Sequence, residues 1–255
     1  MNALLSVCNV SKAFGGLQAL SDISLTVQRG EIFGLIGPNG AGKTTLFNAL
    51  TGLYRIDHGE IRLDDVRLDT AKPHQVLKRG LARTFQNIRL FAQMSAIENV
   101  MVGRHARTRA GVFGAVIRTA ATRAEEADTR ARSLALLQRV GIAQHAERLA
   151  KHLSYGDQRR LEIARALASE PKLLALDEPA AGMNPAERAA LRNLLLQLKH
   201  DGVTLLLIEH DVKLVMGLCD RLAVLDYGVK IAEGTPSAVA NDPRVIAAYL
   251  GDAPV

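Results

Sequence analysis

The chain is 255 residues long, 48% hydrophobic and carries a formal charge of +6 at neutral pH. That length suits one large domain or two small ones, and the apolar fraction allows a sizeable core. Aromatic residues make up only 4%, with no tryptophan, so the stacking platforms of single-strand binders are missing and no nucleic-acid partner is expected. Much of the positive charge falls at Arg104, Arg107, Arg109, Arg118, Arg123, Arg130 and Arg132. That stretch reads as a solvated helix face, with contact to anionic lipid headgroups as the second reading. Cys8 and Cys219 sit in apolar neighbourhoods with no Cys-x-x-Cys or Cys/His cluster, and read as two buried thiols of a reducing compartment. Met1 to Ser6 has no basic region and makes a poor signal peptide. Apolar runs such as Val203 to Ile208 are too short to span a bilayer. A soluble, cytosolic chain is expected.

Along the chain, the first part is β-rich. Leu4 to Val10 and Ile23 to Val27 are apolar or alternating runs, and Ile61-Arg62-Leu63 follows the turn signal Asp57-His58-Gly59. Between them, Glu31 to Ile36 is an apolar run of strand length, and Thr45 to Leu50 can open a helix. The residues joining the two are Gly37, Pro38, Asn39, Gly40, Ala41, Gly42, Lys43 and Thr44. This is a complete Gly-x-x-x-x-Gly-Lys-Thr phosphate loop in the strand–loop–helix context that the motif demands. The glycines let the backbone curl so that several N–H groups converge, and the following helix adds its positive end. Lys43 supplies a point charge for the β- and γ-phosphates, and the Thr44 hydroxyl suits a Mg2+ ligand. Together with Thr45, these residues form the candidate nucleotide-binding set. A nucleoside triphosphate is the expected ligand.

The middle of the chain changes character. From about Ser95 to Gln144 it is rich in Ala, Arg, Leu and Glu; Thr122 to Val140 has apolar residues at helical spacing, and Gly141 is a stop signal. Further on, Leu173 to Leu176 and Val203 to Ile208 read as buried strands. Between them lies a helix from Pro185 to His200, with Asn184 as N-cap and Pro185 at the first helical position. Strand, helix, strand in that order indicates a parallel sheet with right-handed crossovers. The first of these strands runs into Asp177-Glu178 and the second into Glu209-His210, at the edge where open α/β sheets bind ligands. Asp177 suits Mg2+, Glu178 can orient or deprotonate an attacking water, and His210 can donate to a γ-phosphate or hold that water.

Residues 153 to 158 read Leu-Ser-Tyr-Gly-Asp-Gln, followed by Arg-Arg-Leu-Glu-Ile-Ala-Arg-Ala-Leu. This closely resembles the signature of ATP-binding-cassette ATPases. The order of segments also fits: phosphate loop, Gln86 in Arg-Thr-Phe-Gln, signature, Asp177-Glu178, His210. The resemblance covers essentially the whole chain. It implies an α/β fold: a P-loop NTPase core of mostly parallel sheet with flanking helices, an N-terminal antiparallel β-subdomain and a helical insertion. Residues 1–255 are expected to form one domain, with 1–90 and 158–255 as core and 91–157 as the helical subdomain. By the same resemblance, Phe14 stacks on adenine, Gln86 reaches Mg2+ and the attacking water, and Ser154 and Gly156 touch the γ-phosphate held by a second subunit. ATP then holds two copies head to tail, as a homodimer or heterodimer, and hydrolysis releases them.

Two departures stand out. Asp157 occupies a position where the family usually has Gln, and a carboxylate near triphosphate repels it unless Arg159 or Arg160 compensates. Residues 181–184 read Ala-Gly-Met-Asn in place of Ser-Ala-Leu-Asp. The tyrosine-bearing signature, that loop and Arg83 to Phe91 are similar to ATP-binding subunits of bacterial branched-chain amino acid importers. Urea or amide importers and lipopolysaccharide exporters look alike; a soluble cassette ATPase acting on nucleic acid is the other alternative. The importer reading implies two integral membrane permease subunits, indirectly a solute-binding protein, and a peripheral location on the cytoplasmic face of the inner membrane. The permeases press a short helix into a groove expected from Gln86 to about Val102, with Ile88, Leu90, Phe91 and Met94 as its apolar surface.

Overall fold

The computed structural model describes residues 3–107 and 120–250. Arg109 and Arg118 of the basic stretch lie outside the described residues. Chain order begins with β1 (Ala3–Phe14) and β2 (Leu17–Gln28), a hairpin over Gly15-Gly16 with Gly15 in the left-handed region. Then come β3 (Ile32–Ile36), α1 (Lys43–Leu50), β4 (His58–Leu63), β5 (Val66–Arg67), α2 (Pro73–Arg79), β6 (Leu81–Arg83), α3 (Ala96–Arg104) and α4 (Ala120–Arg139). The remainder is α5 (Tyr155–Leu167), β7 (Leu173–Asp177), α6 (Pro185–His200), β8 (Thr204–Ile208), α7 (Val212–Met216), β9 (Arg221–Asp226), β10 (Val229–Gly234), α8 (Pro236–Ala240) and α9 (Pro243–Leu250).

Two sheets result. One is antiparallel, in the order β2-β1-β4-β5; the other runs β10-β9-β3-β8-β7-β6, parallel throughout except for the β9–β10 pair. The central strands β3, β7 and β8 are buried along their whole length, which is why they read as unbroken apolar runs. Their alternation feeds two cores. Ile32, Ile36, Leu174, Leu176, Leu205 and Leu207 face the helices, while Phe33, Leu35, Leu173, Leu206 and Ile208 face α1 and the antiparallel sheet. The expected α/β architecture is therefore present, with α1 held between the sheets.

The helical layer is α3, α4 and α5. Ser95 caps α3 with Glu98 in a reciprocal capping box. Gly103 lets α3 cross α5 closely, since a Cβ there would lie 2.2 Å from the Arg165 carbonyl oxygen. The expected Asn184 cap is present, its side chain accepting from the Glu187 N–H at 2.9 Å. The helix α5 runs unbroken through residue 157, so one rigid element joins the helical layer to the main sheet's flank.

Two expectations are corrected. Cys8 is exposed, whereas Cys219 is buried, its thiol pushed up to about 12 by desolvation. The alternation of β1 breaks at Cys8-Asn9, where Asn9 takes φ +48° and the register shifts, so two successive side chains face outward. The basic stretch is only partly a solvated face. Arg104 pairs with Glu170 at 2.8 Å, and Arg107 donates to the Ser169 carbonyl at 2.7 Å. Both tie the end of α3 to the end of α5.

Candidate functional site

The phosphate loop leaves β3 at Ile36 and enters α1 at Lys43. At two of its positions close approach of the backbone excludes any side chain. At Gly37 a Cβ would lie 2.1 Å from the Leu225 carbonyl oxygen, and at Gly42, with φ +98°, 2.8 Å from that of Ala19. Gly42 caps α1 without any side-chain bond, so the first N–H groups of the helix have no capping side chain and point at the loop. Lys43 is 8% exposed, and its ammonium donates to the Gly37 and Pro38 carbonyls at 2.7 and 2.8 Å. Burial lowers its pKa, opposed by Glu178 and then Asp177. A triphosphate offers the same ammonium charged partners in place of neutral carbonyls. Thr44 is exposed and Thr45 half-buried, both in the first turn.

The register of the main sheet brings the acidic and polar residues to the same edge. Asp177 and Leu35 both pair with Ile208, so β3, β8 and β7 end side by side. Asp177 is 5% exposed; burial raises its pKa, and the Arg83 guanidinium, 3.8 Å away, opposes that. Glu178 follows in the left-handed region at φ +47°, its N–H donating to the Ile208 carbonyl at 2.9 Å. This strained turn aims the carboxylate out of the strand. Its Oε2 accepts from Gln86 Nε2 at 3.0 Å and lies 3.6 Å from His210 Nδ1. Three residues separated by 92 and 32 positions thus meet at one oxygen. Next door, Glu209 is 1% exposed and accepts from the Ala180 N–H at 3.0 Å, which pins the loop after Glu178.

Phe14 ends β1, is 42% exposed and meets Tyr54 edge to face at 5.2 Å. It is therefore a surface ring, available to a base, and not a core residue. Ser154 caps α5, its Oγ donating to Asp157 Oδ2 at 2.8 Å and accepting from the Asp157 N–H at 3.2 Å. Gly156 is buried against Glu187, whose Oε1 a Cβ would meet at 2.8 Å. Among the described residues no hydrogen bond or ion pair joins Ser154 or Gly156 to the phosphate loop, Asp177, Glu178 or His210. Of the two arginines expected to offset Asp157, only Arg160 lies near it, at 3.9 Å. Arg159 turns inward and is 3% exposed, donating to the Phe85 carbonyl (2.8 Å), the Gln86 carbonyl, the Tyr155 hydroxyl (3.0 Å) and Glu162 (3.3 Å).

A groove of about 390 Å³ opens along β6, walled by Leu53, Leu77, Phe85, Phe91, Val102 and Arg165 among others. The sequence places Ile88, Leu90 and Met94 on this surface, but none of them lines it. Leu90 packs on the chain's own core, and Ile88 and Met94 are half-buried. Phe91, 49% exposed, does line it. The reason is Asn99, fully buried, which accepts from the Phe91 N–H and donates to the Phe91 and Ser95 carbonyls. That fixes the loop so that, of the four residues Ile88, Leu90, Phe91 and Met94, Phe91 alone is exposed. The sequence gives no role of their own to Arg83, Tyr155 and Glu162 and sets Arg159 beside Asp157 instead of inward; for Arg83, Arg159 and Glu162, a charge within an apolar, helical or strand-end segment is the signal it carries.

The ABC transporter family model matches residues 20–181, and that for the branched-chain amino acid ATP-binding cassette transporter matches residues 229–254. The high-affinity branched-chain amino acid transport ATP-binding protein LivG of Salmonella typhimurium is 47% identical over 251 residues, 98% of each chain. The lipopolysaccharide export system ATP-binding protein LptB of Haemophilus influenzae is 35% identical over 98% of each. A nucleotide-free ATP-binding cassette from an ABC transporter has a TM-score of 0.85 at 31% identity, over 98% of this chain and 100% of that one. The likeness takes in both sheets and the helical layer as well as the phosphate loop; the chain belongs to the ABC transporter family.

Proposed function

We propose that this chain is the ATP-hydrolysing subunit of a branched-chain amino acid importer. The observation that carries the chemistry is the shared Glu178 oxygen, reached by Gln86 and His210 beside the Lys43 loop. The observation that carries the solute is the 47% identity to LivG against 35% to LptB, over equal coverage. ATP lies with its base on Phe14 and its phosphates in the N–H cradle of the loop, on Lys43. Glu178 accepts the proton of the attacking water, which Gln86 and His210 orient, and His210 also faces the γ-phosphate. Thr44, Asp177 and Gln86 offer hard oxygen donors, a set that suits Mg2+ held by few protein ligands and the phosphates. When bound, Mg2+ neutralises charge on the β- and γ-phosphates.

Ser154 and Gly156 open α5, and a helix N-terminus favours anions. They complete the site of a second, sister or identical, ATPase subunit placed head to tail. ATP holds the pair closed and hydrolysis reopens it, a two-state switch biased by the γ-phosphate. Two integral permease subunits dock in the groove at Phe91, with a solute-binding protein acting through them, and the chain sits on the cytoplasmic face of the inner membrane. No helix among the described residues is long and apolar enough to cross a membrane.

The test is a tagged pull-down from detergent-solubilised native membranes. Two multi-span subunits, a sister ATPase and leucine-stimulated turnover are expected; a lipopolysaccharide export partner, or ribosomal or DNA-associated proteins, would overturn the importer reading. Phe91→Asp is expected to keep ATP binding yet lose at least about 90% of membrane-subunit recovery, because it sets a charge in an apolar contact. Retained recovery places the docking surface elsewhere. Asp157→Gln removes a carboxylate beside Ser154 and should tighten ATP-driven dimerisation, measured by sedimentation. An unchanged constant rejects repulsion there.

A further inference from the structure

Arg83 ends β6, beside β7, and its side chain is only 13% exposed. Its guanidinium donates to Asn48 Oδ1 at 3.0 Å and Thr51 Oγ1 at 2.8 Å, at the far end of α1. It lies 4.5 Å from the centre of the Phe47 ring and 4.6 Å from that of Phe85, and Arg89 also covers Phe85 at 4.5 Å. Its other neighbour is Asp177, 3.8 Å away. Thr51, Arg83 and Phe85 all line the groove. One side chain therefore touches the helix that starts at Lys43, the strand-end carboxylate, and the groove wall.

We propose that Arg83 is a positioning residue that couples nucleotide occupancy at Asp177 to the position of Phe85 in the groove wall. The inference deepens the ATPase reading above and rests on it. A guanidinium is suited to the task because it is planar, always charged, and can pair with a carboxylate while stacking on rings. Its attraction to Asp177 is strong in this buried setting. A triphosphate with its cation held at Asp177 would divide that attraction and leave the guanidinium to its partners on α1 and to Phe85. Stacked, close-packed groups have no continuous range of positions, so a small displacement at Arg83 shifts the ring it carries. Arg89 adds a second cation on the same ring, which makes the stack depend on the carboxylate that balances it. Lysine could replace the charge of Arg83 but not the plane.

The chain has no tryptophan, so Phe85→Trp places a single indole in the stack. In the full chain carrying Phe85→Trp and Glu178→Gln, titration with ATP and Mg2+ is expected to change the indole emission with the midpoint of ATP binding measured by calorimetry. Adding Arg83→Lys should leave that midpoint within about threefold and reduce the emission change at least twofold. An undiminished change overturns the proposal. If Phe85→Trp itself abolishes binding, Arg83→Lys in the otherwise native chain decides: kcat is expected to fall at least fivefold with KM for ATP within twofold, and unaltered kcat or a parallel loss in both overturns it. Arg83→Met, which fills the space without charge, should show the same split if it folds. A native chain that binds no ATP in calorimetry would remove the ATPase reading itself, an outcome distinct from an ATP-binding chain whose emission ignores Arg83.

Discussion

Glu178→Gln is expected to bind ATP, accumulate as the ATP-bound dimer and turn over at least about 100-fold more slowly, the range that removal of a positioned general base produces. The substitution is nearly isosteric. The amide can still meet Gln86 or His210, now 3.0 and 3.6 Å from the carboxylate oxygen, and the backbone turn at φ +47° is untouched. What disappears is the capacity to take a proton. Binding depends on other groups, namely the loop N–H groups, Lys43 and Phe14, so ATP affinity should stay within a few-fold. Steady-state phosphate release and sizing of the ATP complex separate the two. Turnover near that of the native chain would remove Glu178 as the base and leave His210 as the candidate. Loss of ATP binding along with turnover would show instead that the Glu178 carboxylate positions the loop, through its charge beside Lys43.

The phosphate loop and the two strand-end pairs were legible because each is local: a short run of residues fixes the backbone and the chemistry together. The central strands were legible because burial on both faces writes an unbroken apolar run. Other features were hidden because they arise from contacts distant in sequence. β6 is three residues long and exists as an edge strand only beside β7. β9 and β10, the latter half exposed, needed the sheet to define them. Cys8 reads as buried until the bulge at Asn9 turns it outward. The groove depended on Asn99, whose side chain bonds back to a loop eight positions earlier and leaves Phe91, of the four apolar residues expected there, as the exposed one. The inward turn of Arg159 was hidden for the same reason, since arginine on a helix next to a loop normally faces water, and its burial is satisfied by the distant carbonyls of Phe85 and Gln86 together with Glu162 and Tyr155.

That buried arginine leads to the second large effect. Arg159→Met should destabilise the chain by about 3–5 kcal/mol, the cost of removing one partner of a buried ion pair, and lower Tm by on the order of 10 °C. Arg159 and Glu162 are 3% and 2% exposed. Without the arginine, the Glu162 carboxylate keeps a hydrogen bond from the Phe85 N–H at 3.3 Å but loses its nearest charge. Burial already raises the pKa of Glu162, with Arg159 the largest opposing influence, so the variant raises it further. A carboxyl whose folded pKa lies above its unfolded value costs stability as pH climbs from the unfolded value through the folded one, and costs little below both. The deficit of Arg159→Met should therefore be larger at pH 8 than at pH 5, measured by urea unfolding. The double variant Arg159→Met/Glu162→Leu removes both charges and should recover most of the stability. It cannot recover the two bonds that hold the Phe85 and Gln86 carbonyls to α5. Its ATP turnover should therefore stay depressed in a well-folded chain, because Gln86 is no longer held against Glu178. A double variant with native turnover would mean that the pair serves folding alone and that the Gln86 loop is positioned by other contacts.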